Sequence, residues 1–129
     1  MSGRAIADTS LFIARETGRP LAPHGDREIA VSIVTIAELE MGVLAAASPR
    51  VRSVRLQTLR DAEQLAALAV DRDVASAFAT LVVEMRAGGR GKLGVQDAWI
   101  AATAITHDAD LLTQDDDFDA VPGLRVIKL

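Results

Sequence analysis

Four acidic side chains stand where apolar segments meet the next element of the chain: Asp8 in R-A-I-A-D-T-S, Glu38 in T-I-A-E-L, Asp97 in V-Q-D-A-W-I-A-A-T-A and Asp115 in L-L-T-Q-D-D-D-F. Gathered into one cleft they would repel, because carboxylates that share a site cannot all stay ionised without a partner. A hard divalent cation such as Mg2+ or Mn2+ is the usual partner, since it takes oxygen ligands. The pattern points to metal-assisted chemistry on an anionic substrate, with phosphodiester hydrolysis foremost.

Each acid also has a structural explanation. Asp8 can end a strand or cap a helix, Asp97 can complement the dipole of a first helical turn, and 115–119 can be a solvated charge run. Glu38 can be an exposed helical residue. The neighbours favour the chemical reading. Glu38 lies among Ile36, Ala37 and Leu39, with no Lys or Arg within four residues to form a helical ion pair. Asp97 sits in a segment that is apolar nearly all round, as a buried helix is. An ionised carboxylate there is costly unless paired or coordinated.

Other polar residues sort around these four. Glu40, two positions beyond Glu38 on a helix, faces another direction and is expected in solvent or on an interface. Asp108 and Asp110 belong to the far end of their strand, and Asp116 to the surface. Asp117 can share a loop face with Asp115. Thr9, Ser10 and Thr113 place hydroxyls beside the acids, for which capping is the simpler role and ordering a carboxylate or a metal-bound water the functional one. Trp99 is expected in the core, with stacking on a nucleobase as its functional alternative. His24 and His107 are isolated from one another and from other metal ligands in sequence. Phosphate-binding and nucleophile-elbow motifs are lacking, and the glycines between 88 and 94 read as a flexible loop carrying Arg90 and Lys92.

The elements that must position these acids follow from periodicity and punctuation. Strands are expected at 4–7, 28–33, 65–70, 110–113 and 124–127. Helices are expected from Leu11 to Gly18, after a cap at Thr35, and over 50–64, 71–85 and 95–106. Gly42 inside the second helix suggests the close approach of another backbone. Strands alternating with helices imply an α/β fold, a mainly parallel sheet of four to five strands with helices on both faces. Ligands of such sheets bind outside the carboxyl ends of the strands. Asp8 and Asp115 follow strands directly, while Glu38 and Asp97 lie near the first turns of helices that can point at that edge.

Composition bounds the rest. The 129 residues are half hydrophobic but only 3% aromatic, so the core must be built from Ala, Val, Leu and Ile. That length fits one domain over 1–129. The lack of cysteine excludes disulfides, zinc–thiolate sites and cysteine nucleophiles, and fits the cytoplasm. No signal peptide and no membrane span are expected. The net charge of −4 argues against a general nucleic-acid binder. It hides local clusters, however, with bases at Arg50, Arg52, Arg55 and Arg60 and again at Arg86, Arg90 and Lys92. An acidic centre with basic rims gives this balance.

The segments I-A-D-T-S-L-F-I-A, T-I-A-E-L-E-M-G, Q-D-A-W-I-A-A-T-A and L-L-T-Q-D-D-D-F-D, in this order, resemble the motifs of PIN domains, and within them the VapC toxins of VapBC toxin–antitoxin pairs. The resemblance covers nearly the whole chain. It implies a three-layer PIN-like fold and a Mg2+- or Mn2+-dependent endoribonuclease. It also implies a cognate VapB-like antitoxin that wraps the toxin and brings a basic residue near the acids. By the same resemblance Asp8, Glu38 and Asp97 match the family's first three acids. Asp115 matches the fourth, and Asp117 a second variant of it. Apolar positions on the helices from 36 to 60 are candidates for a homodimer or antitoxin surface. Two other readings stay open at this point: a catalytically silent PIN-like module that binds RNA or a partner, and a hydrolase of small phosphoesters.

Overall fold

Short runs of small and branched apolar residues make the strands, and the three central ones are buried nearly throughout, as parallel strands between helices must be, while the two edge strands are partly exposed. The computed structural model describes residues 3–19, 27–89 and 93–129. In chain order these form β1 (Arg4–Ala7), α1 (Thr9–Glu16), β2 (Glu28–Ser32), α2 (Ile33–Leu44), α3 (Pro49–Glu63), β3 (Ala66–Leu68), α4 (Arg72–Gly88), α5 (Val95–Thr106), β4 (Asp110–Thr113), a 3-10 turn (Asp116–Phe118) and β5 (Val126–Lys128).

The five strands lie in the order β3-β2-β1-β4-β5, and every pairing is parallel. Sequence periodicity anticipates this α/β arrangement. The chain runs from β1 outward through β2 to β3, then returns to lay β4 on the other side of β1. The order therefore reverses between β1 and β4, which makes a crevice at their carboxyl ends.

Alternation in the strands divides the core in two. Ala5, Ala7, Val31 and Leu112 face α1, α2 and α3, packing with Leu11, Phe12, Leu39, Val43, Leu59 and Ala62. Ile6 and Leu111 face α4 and α5, packing with Val74, Leu81, Met85 and Ile100. Ala98, Ala101, Ala102 and Ala104 of α5 are all buried. Small side chains let that helix approach the sheet closely, so a well-filled core is reached with few aromatics. Phe78 and Trp99 stack with ring centroids 3.8 Å apart, which gives Trp99 its core role.

Several local expectations are corrected. The cap of α2 is Ser32, whose Oγ accepts from the Val34 amide at 3.1 Å. Thr35 is instead inside the helix and fully buried, because the helix starts directly from the end of β2. Glu38 therefore lies in the second turn, not the first. The neighbour of Gly42 is not a backbone: the Arg55 side chain lies against it and donates Nη1 to its carbonyl at 2.8 Å. The first two glycines of the expected loop end α4, with Gly89 in the left-handed conformation at φ +61° that closes a helix without strain. Gly94 caps α5. Arg90, Gly91 and Lys92 lie outside the described residues. β3 and β5 are shorter than expected, and β5 is displaced toward the C-terminus because Gly123 and the residues around it form a turn.

Candidate metal centre

The carboxyl ends of β1 and β4 deliver the first two pieces of the site side by side, tied by the bond from the Asp8 amide to the Leu112 carbonyl at 2.9 Å. Asp8 is the cap of α1, one of the structural roles expected for it. It is also only 3% exposed, which no ordinary cap requires. Its Oδ2 accepts from the Thr113 hydroxyl at 2.9 Å and, more loosely, from the Ser10 amide at 3.4 Å. Those bonds hold a buried carboxylate that has no ion pair among the described residues.

Thr113 has no exposed surface and is the junction of the loop after β4. Besides donating to Asp8 it accepts from the Asp115 amide at 2.9 Å and lies 3.1 Å from the Ser10 hydroxyl. Ser10 in turn accepts from the Gln114 amide at 3.1 Å. The start of α1 and the loop after β4, far apart in sequence, are thus locked by two hydroxyls. Thr113→Val keeps the shape but leaves Asp8 and the Asp115 amide short of a partner. An unpaired buried polar group costs about 1–3 kcal/mol, so a denaturant melt is expected to show a loss of about 2 kcal/mol, with Thr113→Ser near wild type.

Asp97 enters from the first turn of α5, and Asp115 and Asp117 from the loop and 3-10 turn after β4. These three each offer a carboxylate oxygen within 4.8 Å of the others. Asp115 also shapes the turn, accepting from the Asp117 amide at 3.1 Å. Glu38 is half-buried on α2, and its Oε1 accepts from the Thr9 hydroxyl at 2.8 Å, with Thr35 Oγ1 3.1 Å from the same hydroxyl.

The electrostatics show that all five acids share one field. Asp97 is pushed up from its ordinary 3.8 to about 6, first by burial and then by Asp8, Asp115, Glu38 and Asp117 in that order. No base of the described residues offsets this crowding at Asp97. Burial and four like charges thus make its ionised form costly, which is the condition a cation relieves.

The sequence-predicted residues are therefore brought together, but unequally. Asp97, Asp115 and Asp117 form the tight group, while Asp8 and Glu38 border it, each held by a hydroxyl. Both Asp115 and Asp117 belong to the group. Glu40 is exposed, as expected. Asp108 and Asp110 lie at the opposite end of the sheet, where Arg125 bonds both and Arg27 reaches Asp110 at 2.9 Å. Lys128 was not anticipated. Its Nζ bonds Asp119 at 2.7 Å and also bonds Asp116, which divides the acidic run into two carboxylates paired with it and two, Asp115 and Asp117, without an ion pair among the described residues. The one sequence signal for it is a lone lysine in the last strand, which must end beside the loop after β4.

The PIN domain family model matches residues 5–124. This chain belongs to the PIN domain family. Ribonuclease VapC4 of Mycobacterium tuberculosis is 42% identical over 128 residues, covering 98% of this chain and 97% of that protein. Ribonuclease VapC5 of the same organism is 42% identical over 126 residues, covering 96% and 92%. Among solved structures, VapBC-5 of Mycobacterium tuberculosis, a member of the VapBC family of toxin–antitoxin systems, superposes with a TM-score of 0.85 at 39% identity over 98% of both chains. The DNA-bound VapBC of Salmonella typhimurium shares the fold, with a TM-score of 0.82 at 21% identity over 99% of this chain and 98% of that one. The described part of this PIN domain has no helix long and apolar enough to cross a membrane.

Proposed function

We propose that this PIN domain is an endoribonuclease toxin that hydrolyses RNA phosphodiester bonds with Mg2+ or Mn2+ and is restrained by a cognate VapB-like antitoxin. The observation that carries the reading is the meeting of Asp97, Asp115 and Asp117 within 4.8 Å at the crevice between β1 and β4. Support for RNA as substrate and for the antitoxin comes from relatives named VapC ribonucleases and from the VapBC structure at 39% identity. We place the domain over 1–129, in the cytoplasm, in homodimers and toxin–antitoxin hetero-oligomers.

The donor set suits a hard cation. It consists of carboxylate oxygens without nitrogen or sulfur, close enough to share an ion directly or through its waters. Asp97, Asp115 and Asp117 would hold it, with Asp8 and Glu38 ligating from the border. When bound, such an ion polarises the phosphate and lowers the pKa of a bound water. The catalytic residues are Asp8, Glu38, Asp97 and Asp115. Glu38, steered by Thr9, orients the attacking water. Asp8, pinned by Thr113, fixes the negative wall of the crevice. The bases of α3 and the end of α4 give the RNA backbone its contacts. Exposed Met41, Leu44, Val51 and Val54 on α2 and α3 supply an apolar face for the antitoxin or a second copy.

Purified protein incubated with total RNA and Mg2+ is expected to yield discrete fragments whose mapped ends define the target, and added cognate antitoxin is expected to stop it. A small chromogenic phosphoester should stay intact. Cleavage that persists in metal-free protein, or phosphoester turnover without RNA cleavage, would sink this reading.

A further inference from the structure

The loop after β4 has an electrostatic difficulty of its own. Four of the five residues from Asp115 to Asp119 are aspartates, and the proposed centre needs two of them free. Parallel pairing of β4 with β5 sets Thr113 opposite Lys128, and the Leu129 amide donates to the Thr113 carbonyl at 3.0 Å. The lysine is thereby placed at the carboxyl end of the sheet, on the side of the site. Phe118, fully buried, anchors the middle of the 3-10 turn, and its two flanks carry the charges.

We propose that Lys128 is a positioning residue: by bonding Asp116 and Asp119 it ties both ends of the 3-10 turn to β5 and so holds the carboxylates of Asp115 and Asp117 against Asp97. The inference rests on the reading of this centre as a metal site. The Nζ–Asp119 distance is 2.7 Å, and Asp116 is bonded from the other side of the turn. Asp116 and Asp119 together raise the pKa of the lysine, so the tether stays charged. Pairing also removes two of the four aspartates from competition for the ion. Lys128 thus selects which acids of the run face the crevice.

The sign of one measurement separates a tether from a mere nearby charge. A lysine close to a cation site repels the cation, so removing a lysine that acts only through its charge tightens metal binding. Removing a tether weakens it. Mn2+ alone is titrated into the protein by calorimetry, without RNA, for wild type, K128M and K128R. Exposed ion pairs such as these can shift an equilibrium by up to about fivefold, so K128M is expected to raise the Mn2+ Kd about fivefold, with K128R recovering most of the loss. Because exposed pairs contribute little to stability, the melting temperature should scarcely move, which a merely structural role would not predict. K128Q replaces K128M should the latter not fold. Mn2+ binding to K128M that is unchanged or tighter, with wild type binding normally, overturns the tether and leaves the nuclease reading standing. A wild type that binds no Mn2+ removes both.

Discussion

Asp97→Asn is expected to lower RNA cleavage by about a thousandfold or more, equivalent to roughly 4 kcal/mol of barrier. The substitution removes one carboxylate from the group of three and keeps the shape of the first turn of α5. It should leave the fold intact and, in metal-free protein at neutral pH, stabilise it. The carboxylate of Asp97 has a folded-state pKa near 6 against an ordinary 3.8. Between those values the folded chain binds more protons than the unfolded one, so stability falls as pH rises through this window. Below the window both states are protonated and nothing is lost. Above it the loss is complete. Taken at face value the shift is about 3 kcal/mol, but the group is half exposed and solvent screens it, so about 1 kcal/mol is the expected gain for the asparagine variant. A melt at pH 7.5 in chelator should show the variant higher by about 3 °C, with the gap closing at pH 4. A variant that cleaves at a tenth of the wild-type rate, or that melts lower at pH 7.5, contradicts this assignment.

Metal dependence should carry the same pH signature. A chelator is expected to stop cleavage, and Mg2+ or Mn2+ to restore it. Metal competes with the proton for Asp97, so apparent Mn2+ affinity should be flat well above pH 6. It should fall by about tenfold per pH unit below that, as expected where one ligand must deprotonate. In Asp97→Asn the remaining affinity should be weaker and its slope shallower in this range. Calorimetric titration across pH 5 to 8 measures both. A wild-type affinity independent of pH would place the ion away from Asp97.

Much of this was readable along the chain. The apolar runs at Ala5–Ala7 and Leu111–Leu112 and the helical pattern of Val95–Thr106 specify strands and a buried helix by short-range sterics and periodicity, and the element order specifies a parallel sheet. The acids of the site stood out because Asp97 and Glu38 sit among apolar neighbours without a local base. The cap of α2 was less legible. Ser32 and Thr35 are both good caps, and the choice depends on where β2 runs out of partners in the sheet. The neighbour of Gly42 was equally hidden, since Arg55 reaches it from another helix.

The ranking within the acidic run shows the division most clearly. Residue types along the polymer were enough to say that carboxylates would converge and that a hard cation would suit them, because the cost of a buried charge is a property of the group itself. Which aspartates of Asp115–Asp119 are ion-paired among the described residues follows from strand register. Register puts Lys128 beside Asp116 and Asp119, and it seats Thr113 between Asp8 and the Asp115 amide. A pairing across a sheet joins residues that have no relation in sequence, and only the packed chain brings their charges within reach of one another.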